Sequence, residues 1–121
     1  MLTVDVKGIG LIRDLGARCS LLRLLPAYAA GLRGLEVGDR VQVLYWMHAL
    51  SRADRLQLQL HPRGDESLPL RGVFGLRSCT RPNPIGVSEV EIVEVRETGV
   101  VVSGLDARDG SPLIDIKAAC R

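Results

Sequence analysis

Apolar and polar residues alternate along this chain in short runs, and most of the runs have the period of a strand. Residues 2–6, LTVDV, alternate at period two, the signature of a half-buried strand. VQVLYWMH at 41–48 is β-branched and aromatic, and its apolar stretch is unbroken from Val43 to Met47, as expected of a strand covered on both faces. In LQLQL at 56–60, Leu56, Leu58 and Leu60 point one way and Gln57 and Gln59 the other. LRGVFGL at 70–76 reads as a further strand. VSEVEIVEV at 87–95 and VVVSGL at 100–105 are joined by Arg96-Glu97-Thr98-Gly99, a hairpin turn, and LIDIK at 113–117 is the last strand. The helical signal lies in SLLRLLPAYAAGLRGL at 20–35: Pro26 suits a first turn, Tyr28, Leu32 and Leu35 approximate one face, and Gly31 and Gly34 keep the helix short. Roughly seven short strands and one short helix predict a mainly β protein, a small single-domain antiparallel β-barrel over 1–121 that closes its own edges.

Composition narrows this picture. With 121 residues at 46% hydrophobic but only 3% aromatic, the core has to be built from Val, Leu and Ile. The 16 basic and 14 acidic residues are too balanced to argue for nucleic acid on their own, but their distribution is uneven. Arg71, Arg77 and Arg81 cluster before a run containing Glu89, Glu91, Glu94 and Glu97, so a local cationic patch is expected. No run reaches the ~18 uncharged apolar residues of a membrane span, and MLTVDVKGIG is not a signal peptide. Cys19, Cys79 and Cys120 are odd in number and lack C-x-x-C spacing, which reads as reduced thiols in a cytoplasmic protein. His48 and His61 end two apolar segments without carboxylate or cysteine partners at ligand spacing, so no metal is expected.

Candidate chemistry begins at TRPNPIG, residues 80–86. Pro82 and Pro84 each fix φ, remove a backbone donor and push the preceding residue, Arg81 or Asn83, into extended conformation. Such a loop is either a stiff strand connection or a rigid platform presenting carbonyls, an amide and guanidinium groups. In the last strand, alternation puts Ile114 and Ile116 on one face and Leu113, Asp115 and Lys117 on the other. Those two charges form a cross-strand ion pair or serve a site. The preceding turn, DARDGSP at 106–112, contains the tight-turn dipeptide Asp109-Gly110. Cys79, between Arg77 and Arg81, is a conceivable nucleophile, though no histidine adjoins it in sequence.

Taken together, GVFGLRS (72–78), TRPNPIG (80–86), GLDARDGSP (104–112) and DIK (115–117) resemble, in order and spacing, the TsaA-like or TrmO-like tRNA methyltransferases. PAYAAGLRGL and LYWMH fit the family pattern more loosely. The resemblance implies a homodimeric barrel that binds S-adenosylmethionine and methylates N6 of threonylcarbamoyladenosine, the base just 3′ of the anticodon, in tRNA. Cofactor contacts would fall on His48, Ala49, Arg77, Val87, Asp109, Gly110, Ser111 and Pro112. The candidate catalytic groups are Arg81, Asn83, Asp115 and Lys117: a cation at Arg81 or Lys117 for the carbamoyl oxygen, and Asp115 to orient the lysine or accept the proton. The chain also departs from the pattern. GLIRDLGARCSLL lacks the Gly-x-Pro-Arg-Gln-Pro-Gly run usual after the first strand, Cys79 stands for a frequent proline, Ser111 for threonine and AAC for the residues after DIK, and no further C-terminal domain follows. These departures motivate an alternative, a divergent member that binds S-adenosylmethionine as a sensor or methylates another small substrate.

Overall fold

The computed structural model describes residues 2–49 and 51–120. Eight strands are found among them: β1 (Gly10–Gly16), β2 (Cys19–Leu24), β3 (Arg40–Trp46), β4 (Gln59–Leu60), β5 (Arg71–Gly72), β6 (Ile85–Arg96), β7 (Gly99–Ser103) and β8 (Pro112–Ala118). Six close a barrel in the order β1-β2-β7-β6-β3-β8, while β4 and β5 pair only with each other. The chain divides into two compact units: the barrel, from residues up to Trp46 and from Gly86 onward, and the intervening segment Met47–Ile85.

The barrel interior is aliphatic, as the scarcity of aromatics requires. Ile12, Leu22, Val43, Ile92, Val100, Val102 and Leu113 are fully buried, and each belongs to a barrel strand. In β3, Val41, Val43 and Tyr45 point inward, whereas Gln42, Leu44 and Trp46 are only partly covered, so the outer face of this apolar strand is half open. The β6–β7 hairpin forms at the expected turn, with Arg96 opposite Gly99.

Alternation misreads β8 because the strand contains a bulge. Asp115 lies opposite Leu44 and Leu113 opposite Tyr45, which leaves Ile114 as an extra residue. One inserted residue reverses the in–out phase. Leu113 is therefore buried on the same side as Ile116, which faces Val43, while Asp115 and Lys117 stay exposed.

Three other segments differ from their periodicity. LTVDV pairs with nothing: residues 2–8 are exposed and β1 begins at Gly10, because the closed barrel leaves no edge for them to join. SLLRLL is strand β2, with Leu22 and Leu24 inward, and the helical part starts only at Pro26. It forms a seven-residue 3-10 helix, Pro26–Leu32, burying Leu32. LQLQL contributes just Gln59–Leu60 to a two-stranded ribbon, leaving Leu56 and Leu58 exposed. A one-turn helix α1 (Arg52–Arg55) precedes it, started by a capping box in which the Ser51 hydroxyl accepts from the Asp54 amide.

The β1–β2 hairpin turns through Ala17 (φ 53°) and Arg18 (φ 65°), both left-handed without being glycine. Asn-Gly suits two successive positive φ angles far better. The double substitution Ala17→Asn, Arg18→Gly is therefore expected to raise unfolding free energy by about 0.5–1 kcal/mol in urea titration. No gain would show that the turn is not strained.

Candidate functional site

Within the 47–85 segment, the proline loop is held by one side chain. Arg81 Nη1 donates to the carbonyls of Ser78 (2.8 Å) and Leu76 (3.2 Å), and Nη2 donates to that of Val73 (3.3 Å). A planar fork suits several fixed acceptors in a way an ammonium does not. The 3-10 turn Val73–Gly75 and the stretch Leu76–Ser78 are thus fastened to the start of the proline run. Downstream, the Ile85 amide donates to Asn83 O (2.7 Å), closing a three-residue turn about the buried Pro84. The Met47 amide donates to Pro84 O (2.7 Å), which ties the two ends of the segment together. The expectation of a stiff loop matches this geometry, but the guanidinium of Arg81 is occupied by backbone. Asn83, Arg77, His48 and Ala49 are exposed, the last two in a turn that follows β3.

In the barrel unit, the turn at 106–112 is fastened from three sides. Gly110 N donates to Ile12 O (2.7 Å), and Ile12 N donates to Ser111 O (2.9 Å). The buried Ser111 hydroxyl donates to Arg108 O (2.7 Å). Asp109 Oδ1 accepts from the Asp14 amide (2.9 Å), with Arg13 Nε 3.7 Å away. Tyr45 Oη donates to Asp106 O (2.7 Å), and its ring lies against Gly86, where a Cβ would collide with it. The glycine that ends the proline motif thus makes room for the tyrosine that anchors the acidic turn. Tyr45 was not among the residues singled out from sequence; its signal was a hydroxyl at an inward position of an otherwise apolar strand.

Asp115 and Lys117 sit on the exposed side of β8, and the three ion pairs among the described residues (Arg13–Asp109, Arg40–Glu89, Arg96–Glu94) include neither. Asp115 Oδ1 accepts from the Ile116 amide (2.9 Å). The cross-strand pair open to these charges does not form. Val87 lies on β6, separated from β8 by β3. A cavity of about 380 Å³ between the 3-10 helix and β8 is lined by Tyr28, Leu32, Val41, Asp115 and Ile116. The thiols of Cys19, Cys79 and Cys120 are free, and no cluster of three or more His, Cys, Asp or Glu gathers among the described residues. No described helix is long and apolar enough to cross a membrane.

The class so defined is a six-stranded antiparallel barrel carrying a proline-stiffened segment and a pinned Asp-Gly turn. The sequence profile of the tRNA-methyltransferase O N-terminal domain matches residues 13–120, and the chain belongs to that family. It is 39% identical over 113 residues to a probable S-adenosyl-L-methionine-binding protein of Methanocaldococcus jannaschii, covering 93% of this chain and 89% of that protein. An S-adenosyl-L-methionine-binding protein of Archaeoglobus fulgidus is 46% identical over 98 residues, 81% of this chain and 67% of its own length. Among solved structures, TrmO from Pseudomonas aeruginosa superposes with a TM-score of 0.74 at 30% identity, covering 98% of this chain. The present chain spans 57% of that TrmO chain.

Removing the fork at Arg81 leaves three carbonyls without their charged donor, and hydrogen bonds to charged groups contribute about 1.5–3 kcal/mol. Arg81→Ala is expected to speed amide exchange across residues 73–80 by about tenfold or more, with barrel amides unchanged. Arg81→Lys is expected to restore less than half of the protection. Full protection in the lysine variant would show that charge, and not the fork, holds the loop.

Proposed function

We propose that this chain is an S-adenosylmethionine-dependent methyltransferase whose substrate is tRNA, acting at N6 of threonylcarbamoyladenosine beside the anticodon. The observation that carries this reading is the family match over residues 13–120, together with the Arg-Pro-Asn-Pro-Ile-Gly and Asp-Ile-Lys runs and the Asp-Gly-Ser-Pro turn, which departs from the pattern only at Ser111. The cytoplasm, where tRNA is found, and a homodimer go with it.

The acidic turn fits an adenosyl cofactor on one structural ground. Gly110 has φ 84°, and nothing lies within 4 Å of the place a Cβ would take, so a ligand can approach its backbone closely. Asp109, Gly110, Ser111 and Pro112, with Val87 on β6, are the proposed cofactor contacts of the barrel unit, and His48, Ala49 and Arg77 are those proposed in the 47–85 segment. When bound, S-adenosylmethionine supplies an electrophilic methyl group on its sulfonium. Rate comes mainly from alignment, which is what pinned turns and a proline-stiffened loop provide.

The accepting nitrogen belongs to a urea-like group whose lone pair is delocalised toward the carbonyl, so it becomes nucleophilic as its proton leaves. Lys117, which is in none of the ion pairs among the described residues, is the cation for the carbamoyl oxygen, and Asp115 is the proton acceptor. Arg81, bound to three carbonyls, is a positioning residue, and Asn83 presents its amide to substrate from the rigid loop.

A second reading is favoured by the tight β1–β2 hairpin in the stretch where the family pattern carries Pro-Arg-Gln: a barrel that binds the cofactor as a sensor without turnover. Calorimetry with S-adenosylmethionine and nucleoside mass spectrometry of tRNA treated with protein and cofactor separate the two. Binding plus a mass gain of one methyl on threonylcarbamoyladenosine supports the enzyme. Binding alone selects the sensor, and no binding rejects both. In the enzyme, Lys117→Met is expected to lower kcat by about 10²-fold with cofactor Kd unchanged, since it removes one stabilising charge from the transition state. An unchanged kcat would remove Lys117 from the mechanism.

A further inference from the structure

Charge is divided unevenly between the two units. Residues 47–85 carry six arginines against three carboxylates, a net of +3, while the rest of the chain carries ten basic and eleven acidic residues, a net of −1. Every cation in the 47–85 segment is arginine, the side chain whose planar fork matches phosphate oxygens.

Three of these arginines converge. A cavity of about 1070 Å³, formed wholly within the segment, is lined by Arg63, Arg71 and Arg77, with Glu66 the one carboxylate on its wall. Asp65 stands next in sequence, and hydrogen bonds from the Ser67 hydroxyl and amide lower its carboxyl pKa, so it is ionised at neutral pH. None of the ion pairs among the described residues involves Arg63 or Arg71. Arg63, at φ 55°, adopts the left-handed region that favours glycine, and it lines the cavity. His61 is fixed in the same wall by its Nδ1–H, which donates to Leu68 O (2.8 Å).

The same segment carries an exposed aromatic ring. Phe74, the one phenylalanine of the chain, is 79% exposed. It is on the 3-10 turn Val73–Gly75, whose first carbonyl is gripped by Arg81, and the Arg71 guanidinium lies 3.1 Å from where a Cβ of Gly75 would be. The turn that bears the ring is therefore fastened by Arg81, and the Arg71 guanidinium lies against its last residue. Unpaired bases stack on exposed aromatics while arginines take the intervening phosphates, which is how single-stranded RNA is held. The space is larger than a single phosphate needs.

We propose that the arginine-lined cavity of the 47–85 segment seats the sugar-phosphate backbone of the anticodon loop, with Phe74 as the platform on which one unpaired base stacks. This rests on the reading of tRNA as substrate and adds to it where the RNA is gripped. Arg63, Arg71 and Phe74 are RNA-positioning residues outside the cofactor set.

The test uses the full chain, a fluorescent anticodon stem-loop carrying threonylcarbamoyladenosine, and anisotropy titrations at several KCl concentrations. The double variant Arg63→Ala, Arg71→Ala is expected to bind at least about tenfold more weakly, with a log–log salt slope shallower by roughly 1–2, because each phosphate contact contributes about 0.7–0.9. Phe74→Ala is expected to lose about tenfold or more with the slope unchanged, and Phe74→Trp to restore it. Calorimetry with S-adenosylmethionine should return wild-type affinity for all three and so report intact folding. Wild-type RNA affinity in the arginine variant would overturn the proposal while leaving tRNA as substrate. A wild-type protein that binds no stem-loop would overturn both and leave cofactor binding standing. A Phe74→Ala protein with unchanged RNA affinity but altered mass by light scattering would assign the ring to a second copy of the chain instead.

Discussion

One guanidinium governs the shape of the 47–85 segment. Arg81 sits at the entrance of the proline run and binds three carbonyls belonging to residues 73, 76 and 78, so a stretch with almost no regular hydrogen bonding keeps a single path. Proline alone restricts φ at Pro82 and Pro84 and the conformers of the residues before them. It does not determine where the preceding strand and turn lie. The arginine supplies that second constraint, and the exposed groups of the segment, Phe74, Arg77 and Asn83, inherit their positions from it. A residue that reads in sequence as a candidate catalytic cation thus has its guanidinium bonded to backbone, where it acts as a structural clamp.

The barrel solves the equivalent problem differently. Its acidic turn is held by backbone pairing with β1, by the Asp109 carboxylate on the Asp14 amide and by the Tyr45 hydroxyl on Asp106 O. With Asp109 and Ser111 both bonded within the protein, the turn keeps few side-chain groups for a ligand. Recognition there has to rely on backbone and on the open approach above Gly110. That also gives physical meaning to Gly86. Its missing Cβ admits the Tyr45 ring, so the glycine closing the proline motif serves the far turn through a tyrosine.

Much of this was legible from the chain. The β6–β7 hairpin, the aliphatic core and the motif-bearing turns follow from alternation, composition and turn residues, each a local property. What alternation could not convey was partnership. LTVDV has a strand's pattern and no strand to pair with, and LQLQL has it over five residues but meets only the two-residue β5. In SLLRLLPAYAAGLRGL, strand and helix periods overlap until Pro26 separates them. The bulge in β8 is a third kind of miss, because an extra residue at Ile114 is decided by the register against β3 and leaves no mark in the order of apolar and polar residues. The candidate catalytic charges were legible as residue types, whereas the engagement of Arg81 by backbone, and the absence of Asp115 and Lys117 from the ion pairs among the described residues, required coordinates.

The uneven charge of the two units bears on how a nearly neutral protein could handle RNA. A net of +2 spread evenly would give little steering, since exposed charges are screened over about 8 Å at physiological salt. Confining an excess of three arginines to 39 residues produces a local field over one cavity, while the acidic balance of the barrel discourages binding elsewhere. Arginine contacts to phosphate set orientation without reading sequence, and a stacking ring is similarly tolerant of base identity. On the proposed reading, selectivity for one modified adenosine has to come from groups other than these arginines and this ring. In the proposed function grip and selectivity are therefore separable, and the arginines and the ring of the 47–85 segment supply only the first.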